Sequence, residues 1–237
     1  MKKIFFLLLI FSCLSSGAQT AIDCANCSVQ IVKREQIKGL SIDEIQFLTN
    51  DLVARKGYKF KSGVIEFYYS NKVWYKPMEN NDKIIYNEIE KRNIKTFQDK
   101  IIELKEDREN LLSKLKAFKV SMLREDKEFL KSEFGFSKQS EVNKLLLEVL
   151  NRINLDKVNW FKKYGHYQLK EDNLTETISY KIIINDNQVS FVYNYDSGSE
   201  DVEENMYSSD FDEEFTHFWE FEWKKDELKF LKFYSAG

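Results

Sequence analysis

The feature that most restricts the fold of this chain is a long run, residues 82–132, that contains neither proline nor glycine. Apolar side chains recur in it at alternating spacings of three and four, at Ile94, Phe97, Ile101, Leu104, Leu111, Leu115, Phe118 and Met122. This spacing places them on one face of an α-helix, and only the charged Arg108 interrupts the pattern. The sequence therefore predicts a long helix with an apolar seam of the coiled-coil type.

A second amphipathic helix is predicted at residues 141–154, where the apolar positions are Val142, Leu145, Leu146, Val149, Leu150 and Ile153. We expect it to pack antiparallel on the long helix, with residues 134–136 in the turn. The alternative is a helix-mediated dimer, in which the seams of two copies meet. A further short helix is expected at residues 156–163, ending at Gly165, with His166 as a capping donor.

Strand-like sequence dominates the C-terminal part. Four runs with apolar and polar residues in alternation are separated by turn-rich segments, at residues 178–184, 188–196, 215–223 and 227–234. In the third run, His217 shares one face with four aromatic residues, and we expect it to be a partly buried structural histidine. The predicted fold class is α+β, with a small helical module, a long helix or helical hairpin, and a four-stranded antiparallel sheet packed on the helices.

The N-terminus has the pattern of an export signal. Lys2 and Lys3 precede an apolar run at residues 4–11, and Ser-Gly-Ala at residues 16–18 supplies the small side chains that signal peptidase requires. We therefore expect residues 1–18 to be a signal peptide that is removed from the mature chain.

A lipoprotein is the alternative interpretation of the N-terminus. Residues 10–13 loosely resemble a lipobox, which would place a lipid anchor on Cys13. Both interpretations predict an exported protein, located in the periplasm, on the outer surface or outside the cell. No later segment is long and apolar enough to predict a transmembrane helix.

Cys24 and Cys27 remain close to the start of the predicted mature chain. In an oxidising compartment such a pair most simply forms a disulfide. A redox-active C-x-x-C normally follows a strand, and nothing strand-like precedes Cys24. Redox activity and a free or partner-linked pair are the alternatives, whereas two cysteines are too few for a closed zinc site.

The charge balance excludes one class of partner. Without Lys2 and Lys3 the chain carries 34 basic (36 minus 2) and 39 acidic residues, which gives no support to a nucleic-acid partner. The common catalytic and nucleotide-binding motifs are absent from the sequence. We therefore expect no cofactor, and the sequence identifies no catalytic residue.

Negative charge is concentrated between residues 182 and 223, where the sequence has no lysine or arginine. We interpret its most acidic part, residues 196–214, as a solvated loop. Clustered carboxylates also bind calcium in exported proteins. A weak candidate site therefore comprises Asp196, Glu200, Asp201, Glu203 and Glu204. The EF-hand spacing is absent, and a basic partner surface is the remaining alternative.

A short helix with defined ends is predicted before residue 58. Ser41 and Glu44 form a capping box at its start. At its end Gly57 suits the left-handed position of a Schellman motif, in which Tyr58 contacts Val53.

Residues 40–77 resemble the YARHG domain, a module of exported bacterial proteins. The signature Ala-Arg-x-Gly-Tyr-x-Phe is present as Ala54, Arg55, Gly57, Tyr58 and Phe60, and later positions match at Ile65, Tyr68, Tyr69, Trp74, Tyr75 and Pro77. The chain departs from the family at Thr49, and at Val53 and Lys56, where the family name spells Tyr and His. A looser resemblance extends to residue 97.

This resemblance implies a fold unit and an exported location, because the family has no established molecular function. Lys56 would not replace a catalytic histidine, which works through a pKa near neutrality, so we expect a capping contact there. Arg55 is expected to pair with Asp51, four residues earlier on the helix. The alternative is a ligand-binding site formed by Arg55, Tyr58, Trp74 and Tyr75.

These patterns predict four parts: the signal peptide (1–18), a segment with the cysteine pair (19–39), the YARHG-like domain (40–97), and a helical-hairpin and sheet domain (98–237). The function we expect is a non-enzymatic envelope or secreted module that binds an envelope protein, a peptide or a glycan. The alternative is a hydrolase of cell-wall or extracellular polymers, which would need two carboxylates facing each other across a cleft.

Overall fold

The structure is a computed structural model that describes residues 23–137, 142–173, 176–197 and 214–237. The chain divides into two compact units. Of the described residues, the first unit comprises those up to Ile31 together with Leu48–Arg92, and the second comprises Val32–Phe47 together with those from Asn93 to Gly237. The domain boundaries expected from the sequence stay a prediction, since compact units and sequence families need not share their limits.

The described residues form α-helices and antiparallel strands, as the predicted α+β class requires. The helices are α1 (Arg34–Ile37), α2 (Ile42–Arg55), α3 (Gly63–Ser70), α4 (Glu88–Leu123), α5 (Lys127–Phe134) and α6 (Val142–Arg152). The strands are β1 (Asn159–Phe161), β2 (Tyr164–Asp172), β3 (Thr177–Asn185), β4 (Gln188–Asp196), β5 (Glu214–Lys224) and β6 (Glu227–Ala236). Short 3₁₀ segments occur at Asn81–Lys83 and Leu155–Lys157.

The first unit has a small aromatic core and a covalent staple. Its buried apolar side chains include Leu48, Leu52, Ala54, Tyr69 and Tyr75. The rings of Phe60 and Tyr69 stack with their centroids 5.1 Å apart. The predicted disulfide between Cys24 and Cys27 is present. Small units with limited cores commonly depend on such a bridge.

The second unit is built on a sheet of six strands, not the four that the sequence predicted. All neighbours are antiparallel and follow chain order from β1 to β6. The two additional strands are β1, which lies where we expected a short helix at residues 156–163, and β2, which follows it. The prediction of that helix was wrong, and His166 accordingly lies within β2 and not at a helix end.

The missed hairpin has a physical explanation in its side chains. Lys162, in the turn between β1 and β2, adopts a positive φ of 53°. Lysine is not a residue type from which such a turn is predicted. In β2 the inward side chains Tyr167 and Leu169 alternate with charged and polar residues. Gly165 lies so close to Trp160 that a Cβ atom would come within 2.9 Å of the indole. What resembled a helix-ending glycine is therefore a site of close strand–strand packing.

The long helix is confirmed as α4, and the second half of its seam packs into the core of the sheet unit. Leu111, Leu115, Phe118 and Met122 are buried in that core. The Phe118 ring lies 4.9 Å from Phe221 of β5 and 5.1 Å from Phe134 of α5, measured between centroids. We expected the second helix, α6, to cover this seam. In the structure α6 packs on strands β3 and β4, and its buried residues Leu146, Val149 and Leu150 belong to the same core as the α4 seam.

The predicted start of α2 is supported by hydrogen bonds. At the start of α2, the Ser41 backbone N–H donates to the Glu44 carboxylate at 2.9 Å, and the Glu44 N–H donates to the Ser41 hydroxyl at 3.3 Å. This is the reciprocal pattern of a capping box. The bond from the Ser41 backbone holds the pKa of Glu44 below its usual value.

Replacing Phe118 by alanine should strongly destabilise the second unit. The Phe118 ring is fully buried and packs against aromatic rings of α5 and β5. Its removal therefore leaves a cavity that the core cannot fill. We expect a loss of about 3–5 kcal/mol in the free energy of unfolding, measured by urea denaturation. Phe161→Ala is the matched control, because the Phe161 ring is largely exposed. Equal effects of the two substitutions would contradict the assigned packing.

Candidate functional site

The signature region ends α2 with the hydrogen bonds of a Schellman motif, as predicted. The Tyr58 N–H donates to the Val53 carbonyl at 3.0 Å, and the Gly57 N–H donates to the Ala54 carbonyl at 2.9 Å. Gly57 has a φ of +83°, which favours glycine. Its carbonyl also accepts from the Met78 N–H at 2.8 Å. The glycine therefore both ends the helix and joins it to the chain that follows Pro77.

Arg55 occupies a defined position at this helix end. Its Nε donates to Asp51 Oδ2 at 3.0 Å, which is the predicted ion pair. The same Asp51 oxygen accepts from the Cys24 backbone N–H at 2.8 Å. The Arg55 guanidinium also lies 4.3 Å from the centroid of the Trp74 ring, a cation–π distance. Two of the four predicted ligand-binding residues, Arg55 and Trp74, are therefore in direct contact.

The other two predicted site residues, Tyr58 and Tyr75, have structural contacts. Tyr75 is buried, and its hydroxyl lies 2.8 Å from the Tyr58 carbonyl and 2.7 Å from the Glu66 carboxylate, both of which can accept its proton. Burial, together with the bond to Glu66, raises the pKa of Tyr75. Tyr58 is half-buried, and its ring meets Phe60 edge-on at 5.2 Å. Their ligand-binding role stays a prediction; Tyr75 belongs to the buried core of the unit, and Tyr58 lies at its edge against Phe60.

Lys56, which stands where the family name has histidine, also makes a structural contact. Its ammonium lies 3.4 Å from the carboxylate of Glu90, whose side chain is almost fully buried. Glu90 also accepts from the Asn87 N–H at 2.8 Å and donates its own N–H to Asn87, which forms a capping box before α4. Lys56 thus neutralises a buried carboxylate.

An exposed apolar surface lies next to the Arg55–Trp74 pair. We name it the α3 face; its members are Val64, Phe67, Tyr68, Val73 and Trp74. Val64 is 82% exposed, Phe67 72% and Val73 99%. The first three members follow the i, i+3, i+4 spacing of one helix face, and the last two follow in the turn after α3. Buried Tyr69 connects the two parts, because its ring contacts those of both Tyr68 and Trp74.

Sequence reasoning missed Val64, Phe67 and Val73 as site residues. A helix that is apolar on all sides is ordinarily buried, so the run Gly63–Ser70 indicated core and not surface. A signal was nevertheless present in the charges around it. Lysines flank this run at positions 59, 61, 72 and 76, and Glu66 is the single carboxylate between residues 52 and 77.

The second unit contains a cavity of about 270 Å³ in which carboxylates gather. Glu103, Asp107 and Asp186 line it, together with the indoles of Trp160 and Trp223. Each carboxylate has a donor within the unit. Glu103 pairs with Lys100, Asp186 pairs with Lys163 at 3.2 Å, and Asp107 accepts from the Trp223 indole N–H at 2.9 Å.

The histidines make no catalytic arrangement that the described residues reveal. His166 stacks on Tyr164 with the ring centroids 6.1 Å apart. His217 Nδ1 lies 2.7 Å from the Ser235 hydroxyl, and burial lowers the pKa of His217. These contacts agree with the expected structural role of His217.

The calcium hypothesis and the export signal fall largely outside the described residues. Asp196 is described, whereas Glu200, Asp201, Glu203 and Glu204 are not, and neither is Cys13. In the part of the chain that the structure describes, no group of three or more His, Cys, Asp or Glu residues could hold a metal ion. Over the same part, no helix is both long and apolar enough to cross a bilayer.

Comparison with known proteins identifies the N-terminal part of the chain. Residues 22–101, which are 80 of the 237 residues, match the YARHG domain family. The protein therefore contains a YARHG domain, as the resemblance predicted. The C-terminal part has no family match, and no curated protein or solved structure matches the chain.

Replacing Gly57 by alanine should destabilise the YARHG domain. A Cβ at this position would lie 2.8 Å from the Lys76 carbonyl and would also force an alanine to adopt a positive φ. We expect a loss of about 1–3 kcal/mol in the free energy of unfolding, measured by urea denaturation. Gly63→Ala is the control, since a Cβ there meets no atom within 4 Å. A neutral Gly57→Ala variant would contradict the Schellman geometry.

The stability of the domain should fall at alkaline pH. Burial raises the pKa of Tyr75 above its ordinary value of 10.0, so the unfolded chain releases this proton at lower pH than the folded chain does. The contribution of the protonated Tyr75 hydroxyl to the free energy of unfolding is complete below pH 10 and is lost as the pH rises above this value. Thermal unfolding between about pH 9 and 12 should therefore show a smaller decline for Tyr75→Phe than for the parent protein. Tyr164→Phe, at an exposed tyrosine, should retain the parental decline.

Proposed function

We propose that this protein is an exported, non-enzymatic binding module that attaches to a component of the cell envelope through the α3 face of its YARHG domain. The observation that carries the proposal is the exposure of five large apolar side chains within residues 64–74. Apolar patches on a soluble domain commonly mark interaction sites. Phe67 and Val73 are almost fully accessible, so they are available to a partner without a change in the fold.

The geometry beneath this face supports binding. Trp74 is held between the Tyr69 ring and the Arg55 guanidinium, and Arg55 is itself held by buried Asp51. A surface whose side chains are already fixed loses little conformational entropy when it binds. The buried core of Tyr69, Tyr75 and Phe60 provides this support from below.

Export is part of the proposal. The predicted signal peptide and the resemblance to a family of exported proteins both favour it. The Cys24–Cys27 disulfide adds support, because structural disulfides persist in oxidising compartments. The order of parts along the chain that we propose is a signal peptide, a disulfide-stapled YARHG domain and a helix-backed sheet unit.

The hydrolase alternative has less support. Glycoside hydrolysis needs a carboxyl group that can donate a proton and a second carboxylate across the cleft. In the cavity of the second unit, Glu103 and Asp186 are paired with lysines and Asp107 is bound to an indole N–H. All three carboxylates of the cavity are thus already engaged by donors of the same unit.

Serine substitutions at Phe67 and Val73 should weaken binding to the envelope. Both side chains are exposed, so the double variant should fold normally while it loses the apolar contact. We expect cosedimentation of the purified mature protein with washed envelopes of the producing bacterium to weaken by about tenfold or more.

Ile85→Ser provides the matched control for this experiment. Ile85 is 82% exposed and belongs to the same unit, but it lies outside the α3 face. The control variant should bind envelopes as the parent protein does. If the Phe67 and Val73 variant binds equally well, the α3 face is not the binding surface.

A further inference from the structure

The surroundings of the α3 face are strongly basic. Between residues 52 and 77 the chain has six basic residues, Arg55, Lys56, Lys59, Lys61, Lys72 and Lys76, and one acidic residue, Glu66. Glu66 offsets only one of these six charges, and its carboxylate accepts from the Phe60 N–H at 2.9 Å and contacts the Tyr75 hydroxyl. The segment that carries the exposed apolar side chains therefore has a net charge of +5 (6 minus 1).

Most of these cations have no carboxylate partner in the described part of the chain. Arg55 and Lys56 form ion pairs with Asp51 and Glu90. Lys59, Lys61, Lys72 and Lys76 form none with any described residue. They are therefore free to meet anionic groups on a binding partner.

Two cations lie directly on the aromatic members of the face. The Lys72 ammonium is 4.5 Å from the Tyr68 ring centroid, and the Arg55 guanidinium is 4.3 Å from that of Trp74. Lys61 precedes the first residue of α3 by two positions. The apolar face thus has two cations on its aromatic rings and a further lysine in the sequence just before α3.

From this juxtaposition we infer that the envelope component bound by the α3 face is an anionic lipid surface. Aromatic and basic side chains together are typical of residues at the headgroup level of a membrane. Val64, Phe67 and Val73 would enter the boundary between headgroups and acyl chains, and the lysines would meet lipid phosphates. This inference rests on the proposed function and names the partner of that same face.

The size of the face favours lipid over a folded protein partner. An eight-residue helix is only about 12 Å long, and five residues form the face. A stable protein–protein interface takes roughly 20–30 residues from each side. A few exposed apolar side chains with cations beside them are sufficient for reversible attachment to a membrane surface.

The inference can be tested with purified mature protein and lipid vesicles of defined composition. The protein should float with vesicles that contain phosphatidylglycerol and should not float with vesicles of phosphatidylcholine alone. Raising the salt to about 1 M, where the Debye length is about 3 Å, should weaken this binding. Equal binding to both kinds of vesicle, or to neither, would overturn the inference.

Two pairs of variants separate the apolar and electrostatic contributions. The Phe67→Ser and Val73→Ser double variant should bind anionic vesicles at least tenfold more weakly, whereas Ile85→Ser should bind them as the parent does. Lys61→Glu should weaken binding about fivefold or more, and Lys83→Glu, at an exposed lysine outside the segment, should change it much less. If the Phe67→Ser and Val73→Ser double variant and the Lys61→Glu variant both bind anionic vesicles as the parent does, the inference is contradicted.

The vesicle and envelope experiments distinguish the two proposals. If the Phe67 and Val73 variant loses envelope binding but the parent protein does not bind anionic vesicles, the proposed function stands and the partner is a protein or a glycan. If the variant keeps envelope binding, the proposed function fails, whatever the vesicles show.

Discussion

The YARHG domain depends on one buried carboxylate, that of Asp51. A single oxygen of this side chain accepts from the Cys24 backbone N–H and from Arg55 Nε. Through these bonds it ties the disulfide segment to α2 and sets the position of the guanidinium above Trp74. A buried charge is tolerated only with such partners, because removal from water is costly for an unpaired ion. The arginine of the signature, Arg55, therefore has a structural role, and that role fixes its position at the surface.

The binding surface we propose is a consequence of this construction. The polar groups of the signature region are largely used within the domain: Glu66 binds Tyr75 and the Phe60 backbone, and Lys56 binds Glu90. Much of what remains accessible is apolar or cationic. Val64, Phe67 and Val73 project without covering contacts, and the nearby lysines have no described carboxylate partner. An apolar surface of this kind with cations beside it is suited to binding.

The second unit rests on a different principle, the packing of an aromatic core between a sheet and its helices. Phe118 of α4 meets rings from α5 and β5, and the inward residues of the strands complete the core. Its cavity brings carboxylates near two indoles, but each carboxylate already has a donor. The carboxylates that line this cavity therefore have a structural explanation in their hydrogen bonds and ion pairs.

The sequence by itself determined the local elements whose signals lie within a few residues. The capping box at Ser41, the Schellman ending at Gly57, the ion pair between Asp51 and Arg55, and the long helix α4 all depend on short-range spacing. Tertiary structure decided what those signals do not contain. It turned residues 159–172 into a hairpin, because Tyr167 and Leu169 find a core to pack on, and it placed α6 on strands β3 and β4. It also left the apolar side chains of α3 exposed, since burial depends on which other elements cover a face, and no local pattern encodes that.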